Sequence, residues 1–365
     1  MAYLKTTHPL GPGKHYIMQV VVEYVWTVRP QTGLEFRSKT RVLQLPTQQP
    51  VISQIPEWNF DGSSTGQATT GESEILLKPY ALYRNPFQSG TNEYVVFCEC
   101  FYPDWNPTDD NTRATLREYM NKHIEVWDAK FWFGFEQEFF IRHILSDGTP
   151  GPLLTSPIQP QGPYYCSVGA GGNEKVMAYL EKALRLGLAM DLELTGVNLE
   201  VAPSQGEFQV RAEGAQAADQ LTAMRWVLAV LLGKDGLVAD YRPKPLGAGW
   251  NGSGLHTNIS TTSMRNGAAG LAEIHTLLAV FRRRHTDHMA VYGEGNQERL
   301  TGAHETSPFE SFTVGVGSRA TSVRIPTEVQ KNGYGYFEDR RPAANADPYA
   351  ITLEVMRSYM ETIIE

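Results

Sequence analysis

Two acidic residues interrupt a strongly apolar stretch, and this feature constrains the fold more than any other. The stretch is Phe131-Trp-Phe-Gly-Phe-Glu-Gln-Glu-Phe-Phe-Ile141, with Glu136 and Glu138 two positions apart. It predicts a strand, in which side chains two apart share a face and their backbones lie roughly 6.6 Å apart. At an effective dielectric near 20, two charges at that separation repel by about 2.5 kcal/mol. Either a cation or a catalytic role offsets this cost, or one edge of the strand faces solvent.

The same pattern recurs in four other short segments. Asn198-Leu-Glu200 and Gly206-Glu207-Phe each place a glutamate on a predicted strand. Two further strand faces carry polar groups, the first with His256, Asn258 and Ser260 and the second with Tyr336, Glu338 and Arg340. Five glutamates and one histidine form an oxygen-rich donor set with a single imidazole, which suits Mg²⁺ or Mn²⁺ better than zinc. The sequence therefore predicts a site for hard divalent cations.

Arginines cluster in the last quarter of the chain, at positions 299, 319, 324, 340 and 341. Each one alone is readily explained as a structural ion pair. Beside carboxylate-bound divalent cations, however, guanidinium forks form the usual clamp for a transferring phosphoryl group. The sequence lacks the glycine-rich phosphate-binding motifs and the zinc-hydrolase and serine-hydrolase motifs. These patterns together favour phosphoryl transfer from a metal–nucleotide that is held by other means.

Composition limits the remaining classes of function. The 365 residues suffice for one large domain or two ordinary ones, and 32 basic against 40 acidic residues give a net charge of −8, which disfavours nucleic-acid binding. Three cysteines indicate a reducing compartment, with Cys98 and Cys100 buried on a strand. No signal peptide or membrane span is predicted, so we expect a cytoplasmic protein. The pair His285-x-x-His288 is expected on a solvated helix face rather than at a metal.

The periodicity of apolar residues predicts an α+β fold, because strands and helices interleave without a regular βαβ rhythm. Residues 101–111 are typical of a linker, and we place the boundary between two domains near residue 107. Helices are predicted near 173–188, 215–232 and 268–292. Strands are predicted at 16–28, 37–45, 94–100, 131–142, 197–202, 206–211, 254–260, 319–325 and 334–341.

Seven segments occur in an order that resembles the glutamine synthetases of the shorter, eukaryotic-like type II class. They are Glu57-Trp-Asn-Phe-Asp-Gly-Ser-Ser-Thr65, Phe133-Gly-Phe-Glu-Gln-Glu138, Pro160-Gln-Gly-Pro-Tyr-Tyr-Cys166, Trp250-Asn-Gly-Ser-Gly-Leu-His-Thr-Asn258, Arg299-Leu-Thr-Gly-Ala-His-Glu-Thr306, Arg324-Ile-Pro326 and Gly335-Tyr-Phe-Glu-Asp-Arg-Arg-Pro342. Any one segment is weak, but seven in order are highly specific.

The resemblance implies a fold, an assembly and a reaction. It implies an N-terminal β-grasp domain at residues 1–106 and a catalytic domain of antiparallel strands and helices at residues 107–365. It implies a decamer of two stacked pentameric rings, with each active site between neighbouring subunits. The implied reaction is the ATP-dependent ligation of ammonia to L-glutamate, which gives L-glutamine, ADP and phosphate through γ-glutamyl phosphate.

The resemblance also implies roles for individual residues. One divalent cation is assigned to Glu138, Glu200 and Glu207, and a second to Glu136, His256 and Glu338. The substrate glutamate is assigned to Asn251, Gly252 and Arg299, and the phosphoryl group to Arg319, Arg324 and Arg340, with Arg340 touching both. The nucleotide is assigned to Trp132, Asn258, Ser260 and Tyr336. The ammonium site is assigned to Tyr165 and Glu305 together with Asp61 and Ser64 of the neighbouring chain.

The chain departs from the family pattern in several places. Residues 66–92 follow it loosely, and the loop Tyr292–Glu298 is shortened, which is expected to change how the flap bearing Glu305 closes. The end of the sequence at Glu365 suggests a bacterial-type member. Two alternatives remain, namely a ligase that uses another amine such as a polyamine, and a catalytically inactive relative with a structural role.

Overall fold

The computed structural model describes residues 17–29, 34–153, 160, 162–169 and 173–364. The chain divides into two compact units, the first formed by Met1–Val28 with Glu35–Thr108 and the second by Arg29–Leu34 with Asp109–Glu365. Both contain sheets, and the second also contains helices, so the α+β fold class predicted from the sequence is confirmed. No helix within the described ranges is long and apolar enough to cross a membrane.

The first unit is built on a five-stranded sheet. Its strands are β1 (Met18–Val28), β2 (Glu35–Leu45), β3 (Trp58–Asp61), β4 (Glu74–Arg84) and β5 (Glu93–Phe101), in the order β2-β1-β5-β4-β3. Neighbours pair antiparallel except β1 with β5. Cys98 and Cys100 are buried on β5, as predicted. The predicted start of β1 at Tyr16 lies outside the described residues.

Strand β4 has no counterpart among the strands predicted from the sequence. Pro79 lies in its middle and cannot donate a ladder hydrogen bond, so a proline here argues against a central strand. The structure accommodates this residue at an irregularity, where the pairing with β5 shifts register between Pro79 and Ala81. A bulge of this kind has no periodic signal in the sequence.

The second unit contains a sheet of nine strands among its described residues. They are β6 (Trp132–Ile144), β7 (Pro150–Gly151), β8 (Leu194–Leu199), β9 (Gln205–Glu213), β10 (Leu237–Asp240), β11 (Leu255–Ser260), β12 (Val314–Val316), β13 (Val323–Ile325) and β14 (Phe337–Asp339). The main order is β12-β13-β14-β11-β6-β9-β8, while β7 and β10 also pair with β6. The long strand β6 is therefore the centre of the sheet.

The helices of this unit include those predicted near 173–188 and 215–232, and also Pro348–Ile364, which was not predicted. They are α1 (Thr112–Lys122), α2 (Ile124–Ala129), α3 (Glu174–Ala189), α4 (Ala215–Gly233), α5 (Thr262–Asn266), α6 (Gly270–Arg283), α7 (His285–Val291), α8 (Thr327–Asn332) and α9 (Pro348–Ile364). The Asn111 side chain caps α1 by accepting a hydrogen bond from the Ala114 amide. The single helix predicted at 268–292 is wrong, because the chain breaks into α6 and α7 at Arg284.

One predicted strand is shifted toward the N-terminus and two are shorter than expected, which changes the backbone setting of four candidate residues. Glu200 follows the end of β8, and Arg319 lies in the loop before β13 rather than on that strand. Tyr336 and Arg340 flank the three residues of β14 on either side. These four residues therefore lie beside regular strands rather than within them, as strand alternation alone had predicted.

The expectation that His285 and His288 lie on a solvated helix face is wrong for His288. This residue is completely buried, with Nε2 2.7 Å from the Ser358 hydroxyl and Nδ1 2.8 Å from Nη2 of Arg341. Arg341 in turn donates to both oxygens of the buried Asp339. The arginines before the helix predicted a solvent-exposed face. Arg341 and Ser358, which contact His288, come from distant segments of the chain.

Candidate active site

The register of the central sheet brings the acidic residues together. Across β6 and β9, Glu138 lies directly opposite Glu207. Across β6 and β11, Glu136 lies directly opposite His256. One strand further out, Glu338 on β14 pairs with Arg324 on β13. Because directly opposed side chains are only about 5 Å apart, antiparallel pairing converts five separate sequence segments into one charged face.

Two groups of potential metal ligands result. The first contains Glu136, His256 and Glu338, and the second contains Glu138, Glu200 and Glu207; within each group the ligand atoms lie within 4.8 Å of one another. Nδ1 of His256 lies between the groups, 3.7 Å from Glu136, 3.8 Å from Glu138 and 3.6 Å from Glu338. The sets match those that the family resemblance implies, while their role as metal ligands stays a prediction.

Burial makes the charged form of these carboxylates unfavourable. It raises the pKa of Glu138 to about 7 and that of Glu200 to about 8, and it raises the pKa of Glu207 well above its usual value. Neighbouring carboxylates add to each shift. Burial also lowers the pKa of His256 far below its usual value, so the imidazole is neutral. Five carboxylates around a neutral imidazole fit a hard divalent cation, which supplies the positive charge that this cluster needs.

Guanidinium groups line the same face. Arg324 and Arg340 each donate to one oxygen of Glu338, at 3.0 and 2.6 Å. The buried Arg299 places Nη2 3.1 Å from Nε2 of His256 and donates to the backbone oxygens of Arg340 and Arg341. Within the part of the chain that the structure describes, Nε of Arg324 and Nε of Arg340 are buried and have no acceptor.

These residues line a cavity of about 190 Å³ in the second unit. The sequence-predicted residues that line it are Glu136, Glu138, Tyr165, Glu200, Asn251, Gly252, His256, Arg299, Glu305, Arg319, Arg324, Glu338 and Arg340, together with Glu207. Its lining also includes four residues that sequence reasoning missed: Asn198, Gln209, His304 and Thr306. Asn198 and Gln209 lie two positions from the strand glutamates 200 and 207, and this spacing was an available signal.

The four residues assigned to the nucleotide lie elsewhere on the same strands or beside them. Ser260 on β11 pairs with Trp132 on β6, four residues along each strand from the pair His256 and Glu136. The guanidinium of Arg265 lies 5.5 Å from the Trp132 ring centre, and its Nη1 donates to the Ser260 hydroxyl at 3.0 Å. Tyr336 is 42% exposed. Asn258 donates to Glu136 at 2.7 Å, a contact that its assigned role did not anticipate.

Glu305 lies in a tightly turned loop at the cavity. The loop is closed by a bridge between Thr301 and Pro308, and the Thr306 hydroxyl donates to the backbone oxygens of Arg299 and Ala303. His304 and Glu305 both have positive φ, at 52° and 62°. Two consecutive non-glycine residues in this conformation are strained and are held by surrounding contacts.

Asp61 and Ser64 belong to the first unit, where their contacts are local. The Asp61 carboxylate accepts hydrogen bonds from the Ser63 amide, the Ser63 hydroxyl and the Ser64 hydroxyl at 3.0, 2.6 and 2.7 Å. These bonds lower the pKa of the exposed Asp61 below its usual value. Within one chain, Asp61 thus caps the short 3₁₀ helix Gly62–Thr65. Its predicted role in a neighbouring subunit's site stays a prediction.

The fold and the cavity define a class of α+β protein in which paired carboxylate clusters lie beside several guanidinium groups, an arrangement suited to binding cations and anionic substrates together. The family described as "Glutamine synthetase, catalytic domain" matches residues 109–275. Glutamine synthetase of Kluyveromyces lactis is 44% identical over 91% of this chain and 87% of its own length. Root isozyme 2 of Zea mays is 41% identical over 94% and 91%, and cytosolic isozyme 1-1 of Oryza sativa is 40% identical over 92% of each. The chain belongs to the glutamine synthetase family.

The pKa shifts predict how stability depends on pH. Glu200 retains a proton up to about pH 8 in the folded chain, but only up to about its usual 4.5 when unfolded. The folded state then binds more protons than the unfolded state, so the free energy of unfolding of the metal-free protein falls as the pH rises. His256, His285 and His288 have lowered pKa values, so around and below about pH 6.5 the unfolded chain binds extra protons at these residues, which opposes the slope. The carboxylates therefore dominate the slope between about pH 7 and 8.

We expect the melting temperature of the metal-free protein to fall across this window. A divalent cation prefers ionised carboxylates, so we expect added Mn²⁺ to raise the melting temperature more at pH 8 than at pH 7. Thermal unfolding in a chelator, and then with Mn²⁺, measures both effects, and K⁺ at matched ionic strength is the control. Equal melting temperatures at both pH values, with no response to Mn²⁺, would contradict the prediction.

Proposed function

We propose that the chain catalyses the ATP-dependent ligation of ammonia to L-glutamate, giving L-glutamine, ADP and phosphate through γ-glutamyl phosphate. The observation that carries the proposal is the pair of carboxylate clusters beside Arg299, Arg324 and Arg340 in one cavity. A γ-carboxylate is a poor acylating agent until it is phosphorylated. Activation therefore needs positive charge around the phosphoryl group, and capture of ammonium needs separate negative charge.

The donor sets fit Mg²⁺ or Mn²⁺, with Glu138, Glu200 and Glu207 holding one ion and Glu136, His256 and Glu338 the other. When bound, these ions neutralise charge on the phosphates of ATP and orient the transferring group. Burial lowers the pKa of His256, so its imidazole is neutral and adds no positive charge beside the cation. The chain itself supplies the ligands, their spacing and the exclusion of water from the buried carboxylates.

The cationic side chains divide the remaining work. Arg299, with Asn251 and Gly252, holds the substrate glutamate, since all three line the cavity beside His256. Arg324 and Arg340 line the same cavity, and we assign them to the phosphoryl oxygens. Arg319 lies at the exposed side of the cavity. We assign it to the phosphoryl group as it leaves as phosphate.

The ammonium site combines negative and polar groups. Glu305 and Tyr165 line the cavity, and Asp61 and Ser64 complete the site from a neighbouring subunit in this proposal. The low pKa of Asp61 keeps it ionised, which suits an ammonium-binding group. Glu305 lies on the strained loop, so closure of that loop over γ-glutamyl phosphate would bring its carboxylate to the reacting carbon and exclude water.

The same proposal includes the assembly and the location. We assign the first unit to a β-grasp domain and the second to the catalytic domain, and we propose a decamer of two pentameric rings. A cytoplasmic location is supported by the cytosolic isozyme among the relatives.

The test is release of ADP and phosphate from ATP by the purified oligomer. With glutamate present, we expect release to rise strongly when ammonium is added, and we expect hydroxylamine in place of ammonium to yield the hydroxamate of the activated γ-carboxyl group. A polyamine that supports faster turnover than ammonium would identify a ligase for another amine. Absence of turnover with every acceptor would identify an inactive relative and overturn the proposal.

Arg324→Lys should reduce turnover about 100-fold. An ammonium group can keep the ion pair with Glu338, but it cannot reproduce the forked N–H donors, and loss of one preorganised charged donor costs about 3 kcal/mol in the barrier. Steady-state turnover at saturating substrates measures the effect. Arg282→Lys, on the exposed end of α6, is the matched control and should be neutral. A decrease smaller than threefold for Arg324→Lys would exclude a direct role.

Asp61 provides a test of the site shared between subunits. Asp61→Ala and Arg324→Lys chains should each form nearly inactive oligomers. If Asp61 acts in the neighbour's site, about a quarter of the interfaces in oligomers that mix the two chains equally combine an intact Asp61 with an intact Arg324. Activity should return to roughly that fraction of the wild-type value. Mixed oligomers that stay inactive, although mass spectrometry shows both chains, would exclude the shared site.

A further inference from the structure

Four of the five clustered glutamates accept a hydrogen bond from a neutral side-chain amide. The pairs are Asn258 with Glu136, Gln205 with Glu138, Asn198 with Glu200, and Gln209 with Glu207. The fifth glutamate, Glu338, instead pairs with Arg324 and Arg340. Carboxamides therefore hold most of the carboxylates of both clusters, and the sequence did not predict any of these contacts.

Asn258 reaches Glu136 because the residue opposite it has no side chain. Asn258 pairs with Gly134 across β11 and β6, and a Cβ atom at Gly134 would lie only 3.3 Å from the Asn258 Cβ. The Asn258 amide instead crosses to Glu136 and donates to Oε1 at 2.7 Å. The other oxygen, Oε2, faces Nδ1 of His256 at 3.7 Å. The amide thus fixes one oxygen and leaves the other directed at the first cluster.

Gln205 performs the same task for Glu138. Its side chain is 1% exposed, and Nε2 donates to Oε2 of Glu138 at 3.3 Å and to the backbone oxygen of Gly252 at 3.0 Å. The Gly254 amide donates to the same Oε2 at 2.7 Å. Oε1 of Glu138 faces Nδ1 of His256 at 3.8 Å. Gln205 therefore connects a carboxylate of the second cluster with the loop that we assign to the substrate glutamate.

A neutral donor suits this position for an electrostatic reason. A guanidinium or ammonium group would orient the carboxylate equally well, but it would repel a divalent cation nearby. Like charges only a few ångströms apart repel strongly at the effective dielectric of a protein site. An amide N–H orients the carboxylate without adding a net charge. Groups that orient metal ligands in this way typically contribute about 10- to 100-fold to metal affinity.

We propose that Asn258 and Gln205 are positioning residues for the two metal clusters. Each fixes one carboxylate oxygen by a neutral hydrogen bond, so that the second oxygen is directed at the cation. The inference rests on the metal sites proposed above. It gives Asn258 a role in metal affinity, whereas the family resemblance assigns this residue to the nucleotide.

The experiment measures Mn²⁺ binding to the metal-free oligomer without ATP or glutamate, by the electron paramagnetic resonance signal of free Mn²⁺. The variants are Asn258→Leu and Gln205→Met, which keep the approximate shape of the side chain but remove the N–H donor. Each should weaken one class of Mn²⁺ site about 10- to 100-fold and leave the other class less affected. At saturating Mn²⁺, the affinity of Asn258→Leu for ADP should equal that of the wild type.

Matched controls test whether the effect is specific to the two amides. Thr257→Val alters a buried residue on the opposite face of β11, where the hydroxyl donates to the Leu255 backbone. Gln220→Met removes a buried amide of α4 whose oxygen accepts from the Glu193 backbone. Both should retain wild-type Mn²⁺ affinity. If Asn258→Leu does not fold, Gly134→Ala provides a second test, because the added methyl group displaces the Asn258 side chain without removing it.

Several outcomes would overturn the inference. Mn²⁺ affinity within twofold of the wild type in both amide variants would do so, as would equal losses in the controls. Weaker ADP binding by Asn258→Leu, with unchanged Mn²⁺ affinity, would show that Asn258 acts in nucleotide binding rather than in metal binding. If the wild-type protein itself bound no Mn²⁺, the proposed metal sites would fail together with their positioning residues.

Discussion

Repulsion among the clustered carboxylates is the interaction on which the rest of the structure depends. Ligand oxygens of Glu138, Glu200 and Glu207 lie within 4.8 Å of one another, and burial raises the pKa of all three. Such a group does not hold itself together, because each ionised member disfavours the others. The sheet supplies the restraint. Glu138 and Glu207 are fixed opposite each other by the β6–β9 register, whose backbone hydrogen bonds do not depend on side-chain charge.

The sequence predicted the centre of the site because the alternation of side chains along a strand determines which residues share a face. In β6 the aromatic residues Phe133 and Phe135 occupy one face and are completely buried, which leaves Glu136 and Glu138 on the other. An acidic pair on a strand whose other face is apolar has a defined direction. Which residues of neighbouring strands lie opposite each other, however, depends on register. Apart from the family resemblance, nothing in the sequence placed His256 opposite Glu136.

Contacts between distant segments account for what the sequence did not predict. Two hydrogen-bond partners of His288, Arg341 and Ser358, lie 53 and 70 residues away, so local charge predicted solvent where the structure has a buried network. Asn258 illustrates the same limit within the site, because its bond to Glu136 depends on the missing side chain at Gly134 in a different strand. The periodicity and spacing of residues along the chain predict the direction of a side chain. The identity of its partner depends on tertiary structure.

The face of β6 that points away from the cavity explains how the two acidic neighbours keep their spacing. Gln137 lies between them and is completely buried on that face, where its oxygen accepts two hydrogen bonds from Arg225 of α4 at 2.8 and 2.5 Å. Arg225 also donates to the backbone of Ala344 and Ala346. Burial lowers the pKa of Arg225 to about 10, so the guanidinium stays charged at neutral pH. The guanidinium of Arg225 therefore holds the strand between the two carboxylates from the face opposite the cavity. The carboxylate oxygens on the cavity face remain available to ligands.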